Sequence, residues 1–349
     1  MILFDCERMR MPFSGKAVFC RELASSLANI CGDYPWEFGL YLPKEYLQDF
    51  LPGLPRVQFH HRHKRFFSGR GIELFHSTTP LSPFYPRPFH CRTLTTIHDL
   101  NYLYVNSGRK EYEWHDSRTA AAIKRSERLV AISESAKKDV LEHFGDVGKP
   151  IDVIYNGVDR YDGPLMAPTS APDAPFIYCV CRITRSKNLQ TLPALLCGND
   201  YRLVISGRDM EDGHLQEIMD AARKLGVDDR LIYTGPVSES EKHWYLSNCA
   251  AFAFPSLSEG FGLPVLEALQ YHKPIFCSGI DALREVGRDC TFYFKDGFEP
   301  SEMQSVFESG ITEFAGGSIP SEKIDALLNI FSWDNAARQY FNVYKQMLI

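Results

Sequence analysis

Short apolar runs, rich in β-branched and aromatic residues, alternate along this chain with longer stretches whose apolar positions recur every three or four residues. The short runs are "ILF", "WEFGLYL", "IELFH", "TLTTIH", "RLVAIS" and "IDVIY" in the first half, then "FIYCVC", "RLVIS", "LIYT", "AAFAFP", "PIFCS" and "CTFYF". Their brevity and near-continuous hydrophobicity predict strands covered on both faces. Between them, "VFCRELASSLANI", "ESAKKDVLEHF" and "HLQEIMDAARKLG" carry the spacing of amphipathic helices. Strand and helix in alternation predict parallel sheets clothed by helices, an α/β architecture. The proline-punctuated stretch "DGPLMAPTSAPDAP", residues 162–175, has little to bury and reads as a linker. The pattern thus predicts two doubly wound Rossmann-like domains, 1–165 and 166–330, and a last amphipathic helix in 331–349. Ligands in such sheets bind beyond the carboxyl ends of the strands, so chemistry is sought in the residues that follow each run.

One such stretch is "SEGFGLPVLEAL", residues 258–269, directly after "AAFAFP". On a continuous helix Glu259 and Glu267 would lie roughly 12 Å apart. Gly260 and Gly262 disfavour helix, however, and Pro264 is tolerated only in a first turn. The expected unit is therefore a strand, a glycine loop holding Glu259, and a helix beginning near Pro264 with Glu267 in its first turn. Leu263 has no side-chain acceptor to cap that helix, which leaves backbone N–H groups for another partner, and an anion suits them. A plain strand–helix turn explains the glycines but not the two carboxylates.

Other strand ends add candidates. "FIYCVC" is followed by Arg182, then by Arg185, Lys187 and Asn188 at the start of the next expected helix. Such a set suits a phosphate, which rewards charge-assisted hydrogen bonds, although a solvated basic turn is common too. After the first strand, Ser14, Gly15 and Lys16 open a helix without the glycine spacing of a Walker loop. "TLTTI" ends in His98 and Asp99, and "VIYNGVD" puts Asn156 and Gly157 in a turn. No Gly-x-Gly-x-x-Gly follows any strand, which argues against a dinucleotide oxidoreductase.

Composition narrows the field. The 349 residues are 44% hydrophobic and 23% charged, values of an ordinary globular chain with a full core. The formal net charge of −6 argues against a nucleic-acid binder. That charge sits in the second half, while the first is slightly basic and holds most of the 11 histidines. The 10 cysteines show no metal-ligand or disulfide spacing. Buried thiols in a reducing compartment are the expectation, with no metal site. The start "MILFDCER" has no signal-peptide core, and no run approaches the ~20 apolar residues of a membrane span. A cytoplasmic protein follows. "HHRHKRFFSGR", residues 60–70, mixes cations with phenylalanines and suits either peripheral contact with an anionic membrane or a solvated loop.

Together these pieces resemble retaining glycosyltransferases of the GT-B fold, specifically glycosyltransferase family 4, whose members include glycogen synthases and mannosyltransferases. "EGFGLPVLEA" is similar to that family's pair of glutamates separated by seven residues, and "SGKAVF", "TIHDL", "VAISESAKKDVLEHFG", "VIYNGVD", "CRITRSKNL", "LVISG" and "PIFCSGIDALREVG" fall in the family's order. The resemblance implies two domains facing a central cleft: an N-terminal acceptor-binding domain and a C-terminal nucleotide-sugar-binding domain, with helix 331–349 packing back toward the first. It implies that Arg182 and Lys187 hold the donor's diphosphate, that Glu267 binds the ribose hydroxyls, and that Glu259 faces the donor sugar. Phe261, Gly262 and Leu263 would offer backbone N–H groups, Gly15 would let its loop approach the phosphates, and His98 would reach the transferred sugar. The catalytic set is then His98, Glu259, Arg182 and Lys187. Lys16 and Ala17 depart from the family's first loop, which often carries a second glycine or an arginine. The implied reaction is transfer of a hexose, with mannose from GDP-mannose preferred over a UDP-linked sugar, to a lipid-linked or oligosaccharide acceptor in bacterial surface polysaccharide synthesis. No metal or other cofactor is implied, since cations and a helix terminus can stabilise the leaving diphosphate. Two alternatives on the same fold are a nucleotide-sugar epimerase and a catalytically idle partner subunit.

Overall fold

Each apolar run named above becomes a strand, and every strand pairing is parallel. The computed structural model describes residues 1–12, 14–31, 37–87, 91–105, 108–158 and 160–349. Phe13, Trp36 and Asp159, which fall within the first loop, the second strand run and the "VIYNGVD" turn, lie outside the described residues. The chain divides into Met1–Gly157 with Phe331–Ile349, and Val158–Ile330.

In the first unit the elements are β1 (Ile2–Asp5), α1 (Gly15–Cys31), β2 (Phe38–Leu42), β3 (Arg56–Gln58), β4 (Leu74–Ser77), β5 (Arg92–Ile97), α2 (Arg109–Arg125), β6 (Arg128–Ala131), α3 (Glu134–Phe144) and β7 (Ile151–Val153). They form a seven-stranded sheet ordered β3-β2-β1-β4-β5-β6-β7. The sheet winds one way from β1 and the other way from β4, so the β1/β4 boundary is its switch point. α1 forms because Phe19, Cys20, Leu23, Ala24 and Leu27 recur at helical spacing and bury completely. β3 was not foreseen in the sequence. It has three residues, all half-buried, at the sheet edge.

The second unit holds β8 (Phe176–Val180), β9 (Arg202–Ser206), α4 (His214–Leu225), β10 (Leu231–Gly235), α5 (Glu239–Asn248), β11 (Ala251–Phe254), α6 (Leu263–Leu269), β12 (Ile275–Ser278), α7 (Asp281–Gly287), β13 (Phe292–Phe294), α8 (Pro300–Ala315) and α9 (Ser321–Leu328). Its six-stranded sheet is ordered β10-β9-β8-β11-β12-β13, with the switch between β8 and β11. Between β8 and β9 there is no α-helix: Arg185–Lys187 is a 3-10 turn, and Leu189–Leu196 is a 3-10 helix containing Pro193. The expected helix after Asn188 is corrected accordingly. Proline at 193 has no N–H to give an α-helical ladder.

The last helix, α10 (Trp333–Leu348), belongs to the first unit. His76 on β4 is fully buried and joins it there: its Nδ1 lies 2.6 Å from the Tyr344 hydroxyl and its Nε2 2.8 Å from Thr96 Oγ1. Thr96 Oγ1 is 3.1 Å from the Tyr340 hydroxyl. Gly157 admits the entry to α10, since a Cβ there would stand 2.2 Å from the Trp333 nitrogen.

The first division falls at Gly157/Val158, ahead of the proline-rich stretch. That stretch is tied to the second unit. The Tyr161 ring stacks on His243 with centroids 3.9 Å apart, and the Met166 N–H reaches Ser240 O at 3.4 Å. All 10 cysteines are free thiols. Among the described residues no helix is long and apolar enough to cross a membrane, and no cluster of three His, Cys, Asp or Glu could hold a metal ion.

Candidate functional site

Beyond β8 and β11, the two strands at the switch of the second sheet, the loops are sewn together by backbone. Leu257 N–H donates to Ser186 O at 2.8 Å, and Ser256 Oγ donates to the same carbonyl at 3.3 Å. This stitching sets Lys187 against Glu259: Nζ lies 2.5 Å from Oε1, with the side chains only 11% and 13% exposed. Lys187 Nζ also stands over the Phe254 ring at 5.6 Å. Two residues far apart in sequence thus form one half-buried ion pair, a placement in which solvent screens little.

Asn188 follows in the left-handed region, at φ 56°, and is buried. On the neighbouring strand, Gly207 at φ +145° lies so close to Cys181 O that a Cβ would overlap it. Ile183 N–H then donates to Arg208 O at 2.9 Å. The β8 loop is therefore held on both sides.

Arg182 is exposed and has no side-chain partner among the described residues. Arg185 is committed elsewhere: its guanidinium bonds Glu211 and, at 2.6 Å, Glu217. Of three cations expected after β8, one is paired within the site, one is free, and one belongs to a surface cluster.

Glu259 leads into the glycine loop. Gly262, at φ 121°, caps α6, and a Cβ there would stand 2.6 Å from Leu283 Cδ2, so no side chain fits. α6 has no side-chain cap. The N–H groups of Gly262 and Leu263 find no acceptor among the described residues, and Pro264 has no N–H. Phe261 is buried at 4% exposure and helps fix the loop. Glu267 is the fifth residue of α6, one residue further into the helix than expected because α6 starts at Leu263. Its Oε1 accepts from Lys242 Nζ at 3.0 Å, and Lys242 also reaches Glu239 at 2.7 Å. Lys242 went unrecognised in the sequence, where it lies 25 residues from Glu267 behind a capping box at Ser238.

The remaining candidates lie in the first unit. Gly15 opens α1, where a side chain would meet nothing within 4 Å. His98 follows β5 and is 5% exposed. Burial, then Lys16, pushes its pKa down to about 3, so the ring is neutral. Its Nε2 lies 2.8 Å from the Thr78 carbonyl, which can only accept, so Nε2 carries the proton and Nδ1 the lone pair. Phe19 packs edge-on against the ring at 4.7 Å. Lys16 pairs with Asp99 at 3.5 Å.

Asp5, at the end of β1, was also unrecognised. It is buried, and Oδ2 has no hydrogen bond among the described residues. Burial, then Glu7, raises its pKa to about 7. Thr78 Oγ1 donates to the Asp5 carbonyl at 2.8 Å, tying β1 to β4 at the switch.

The basic stretch 60–70 is partly core. His63 and Phe67 are buried and stack with ring centroids 4.7 Å apart, and His63 Nδ1 lies 3.0 Å from the Tyr41 hydroxyl. Arg62, Lys64 and Arg65 are exposed, and Phe66 is 77% exposed.

Residues 17–161 match the family model described as Glycosyltransferase Family 4, and residues 167–298 match Glycosyl transferases group 1. The chain is 29% identical over 251 residues to the serotype-specific mannosyltransferase WbdA of Escherichia coli, across 65% of this chain and 30% of that protein. It is 30% identical over 150 residues to the O-antigen chain mannosyltransferase B of Escherichia coli, across 42% of this chain and 37% of that one. The matched stretch thus spans about a third of the length of these curated relatives. In fold it is similar to HepE of Anabaena, solved in complex with UDP and glucose, with TM-score 0.71 and 14% identity over 99% of both chains.

Proposed function

From a chain that belongs to the family 4 glycosyltransferases, with the GT-B fold of two parallel-sheet α/β units, we propose a retaining hexosyltransferase. It moves a hexose, mannose by preference, from a nucleotide sugar to a glycan acceptor in bacterial surface polysaccharide synthesis. The preference for mannose, with GDP as carrier, rests on the mannosyltransferase relatives. The observation that carries the reading is the Lys187–Glu259 pair at the β8/β11 switch, beside the unengaged N–H groups of Gly262 and Leu263.

In this reading the donor's diphosphate draws the Lys187 ammonium into a shared position between phosphate and Glu259. Arg182 supplies the second cation. As the glycosidic bond breaks, negative charge grows on the departing phosphate, and the fixed N–H groups and two cations stabilise it without reorganising. Glu259, already oriented by Lys187, receives the hydroxyls of the donor sugar. Glu267 binds the ribose. Neutral His98 contributes hydrogen bonds rather than charge to the transferred sugar, and Gly15 leaves its loop open to phosphate. Glu259, the carboxylate assigned to the sugar, is already paired with Lys187, which favours front-face attack by the acceptor hydroxyl over a covalent nucleophile. The cations and N–H groups carry the leaving-group role without a metal ion. The exposed cations of 60–70 support a peripheral site on the cytoplasmic face of an anionic membrane.

The test is to incubate the protein with UDP- and GDP-linked hexoses, with and without a saccharide acceptor, and to follow nucleoside diphosphate release and the anomeric proton of the product by NMR. Acceptor-dependent release with retained configuration is expected. Release of no nucleoside diphosphate from any donor overturns the reading, and an epimerised donor replaces it with the epimerase.

A further inference from the structure

Beside Glu267 stands a cation with no role in the reading above. Lys242 lies on α5 with its side chain 13% exposed, and its Nζ is shared by Glu239 Oε2 at 2.7 Å and Glu267 Oε1 at 3.0 Å. The two carboxylates are unequal. Glu239 is 72% exposed and three residues earlier on the same helix, whereas Glu267 is 25% exposed and comes from α6. Glu239 is also 3.7 Å from His243 Nε2. The other nitrogen of that ring, Nδ1, lies 2.8 Å from the Tyr271 hydroxyl, and its face is covered by Tyr161. One side of the ammonium is thus tied to a stacked, hydrogen-bonded cluster, and its remaining reach goes to Glu267. Glu267 Oε2 has no hydrogen bond among the described residues.

We propose that Lys242 is a positioning residue for nucleoside recognition: it fixes Oε1 of Glu267 so that Oε2 meets the ribose hydroxyls in one orientation. The inference rests on the ribose-binding reading of Glu267. A glutamate has three side-chain torsions, and a partner that settles them before the ligand arrives lowers the entropic cost of binding. A carboxylate with one oxygen held by an ammonium also remains an acceptor at the other, which is what a diol donating two O–H groups requires. Burial alone would lower the Lys242 ammonium, but Glu267 and then Glu239 outweigh it and raise its pKa, so the cation persists.

The experiment compares UDP, GDP and ADP, each with its 2′,3′-dideoxy form, by calorimetric titration into the full chain and into Lys242→Met, which keeps the stem and removes the charge. In the unmodified protein the preferred ribonucleotide binds more tightly than its dideoxy form. Lys242→Met is expected to weaken the ribonucleotide roughly tenfold while leaving the dideoxy form nearly unchanged, as a coupled pair requires. A variant that is merely less stable weakens both alike, so the ratio reports positioning and not folding. Equal weakening of both forms, or an unchanged ratio, overturns the proposal. If the unmodified protein binds none of the three diphosphates, the donor-site reading itself fails, and with it this inference. If it binds them without distinguishing ribose from dideoxyribose, Glu267 is not the ribose contact.

Discussion

At the switch point of the second sheet the titratable groups are cations and carboxylates held in pairs, Lys187 with Glu259 and Lys242 with Glu267. At that of the first, Asp5, His76 and His98 are buried and shifted toward their neutral forms, beside a single Lys16–Asp99 pair. Asp5 is raised to about 7, and His98 and His76 are lowered to about 3. The same doubly wound topology thus supplies two electrostatic environments. A crevice of paired charges can exchange one partner for a phosphate, because the cation is already desolvated and already oriented. A crevice of neutral donors and acceptors can recognise hydroxyls, but gives little to a charged ligand. The difference agrees with the proposal that the donor's diphosphate uses the charged groups of the second unit.

The comparison can be broken first at Asp5. An acid whose pKa is raised on folding contributes its full stability below its unfolded value of 3.8 and loses it as pH rises through about 7. Asp5→Asn should therefore stabilise the chain at pH 8 by up to about 4 kcal/mol and change little at pH 4. Urea midpoints of both chains at the two pH values check this, and an equal gap at both would mean Asp5 is not held neutral. The histidines slope the other way. Neutral His76 and His98 have depressed values, so their contribution is present above the unfolded 6.5 and is lost as pH falls toward 3.

Next in size is Lys187→Ala, expected to lower turnover by roughly two to three orders of magnitude with the fold intact, the usual effect of removing one charge-stabilising donor. Turnover within a few-fold of the unmodified protein would remove the diphosphate from this crevice. Replacing Arg62, Lys64 and Arg65 together with serine should reduce binding to anionic liposomes by up to about 3 kcal/mol. Transfer to a small soluble acceptor should persist, because the buried His63 and Phe67 that anchor the segment are untouched. Loss of soluble-acceptor activity would instead place the segment in the acceptor site. Glu267→Gln should raise the donor KM roughly tenfold and leave kcat within a factor of a few, since a ribose contact serves ground and transition states alike. The smallest expected effect is that of EDTA, which should leave turnover unchanged. Loss of activity restored by manganese or magnesium would contradict a crevice that works through its own cations.

The sequence announced what depends on runs and spacing. Strands buried on both faces are almost uniformly apolar, so twelve of them could be read directly. β3 escaped because three half-buried residues at an edge carry no such run, and only pairing with β2 makes them a strand. Glu259, Lys187 and the Gly262 turn were legible because glycine, proline and charge at a strand end leave local marks. That Lys187 meets Glu259 follows from the neighbouring positions of β8 and β11, 72 residues apart in the pairing contact, which spacing does not encode. Arg185 looked equivalent to Lys187 until Glu211 and Glu217 claimed it. The division at residue 165 was misplaced because prolines signalled a linker, while Tyr161 stacks onto His243 and carries the segment into the second unit.

The return of α10 to the first unit has a consequence for the order in which the protein is made. His76 finds its Tyr344 partner, and Thr96 its Tyr340 partner, only after residues 158–330 have been synthesised. Domains generally fold as their chains emerge, first part first. Here that order is inverted: the sequence of the second unit is complete before α10 supplies the first with the last wall of its core. Until the last turn of α10 arrives, His76 Nδ1 lacks its Tyr344 partner, and the first unit is expected to be the more open to proteases. A released chain truncated after residue 330 should therefore show a protease-resistant second unit joined to a labile first one.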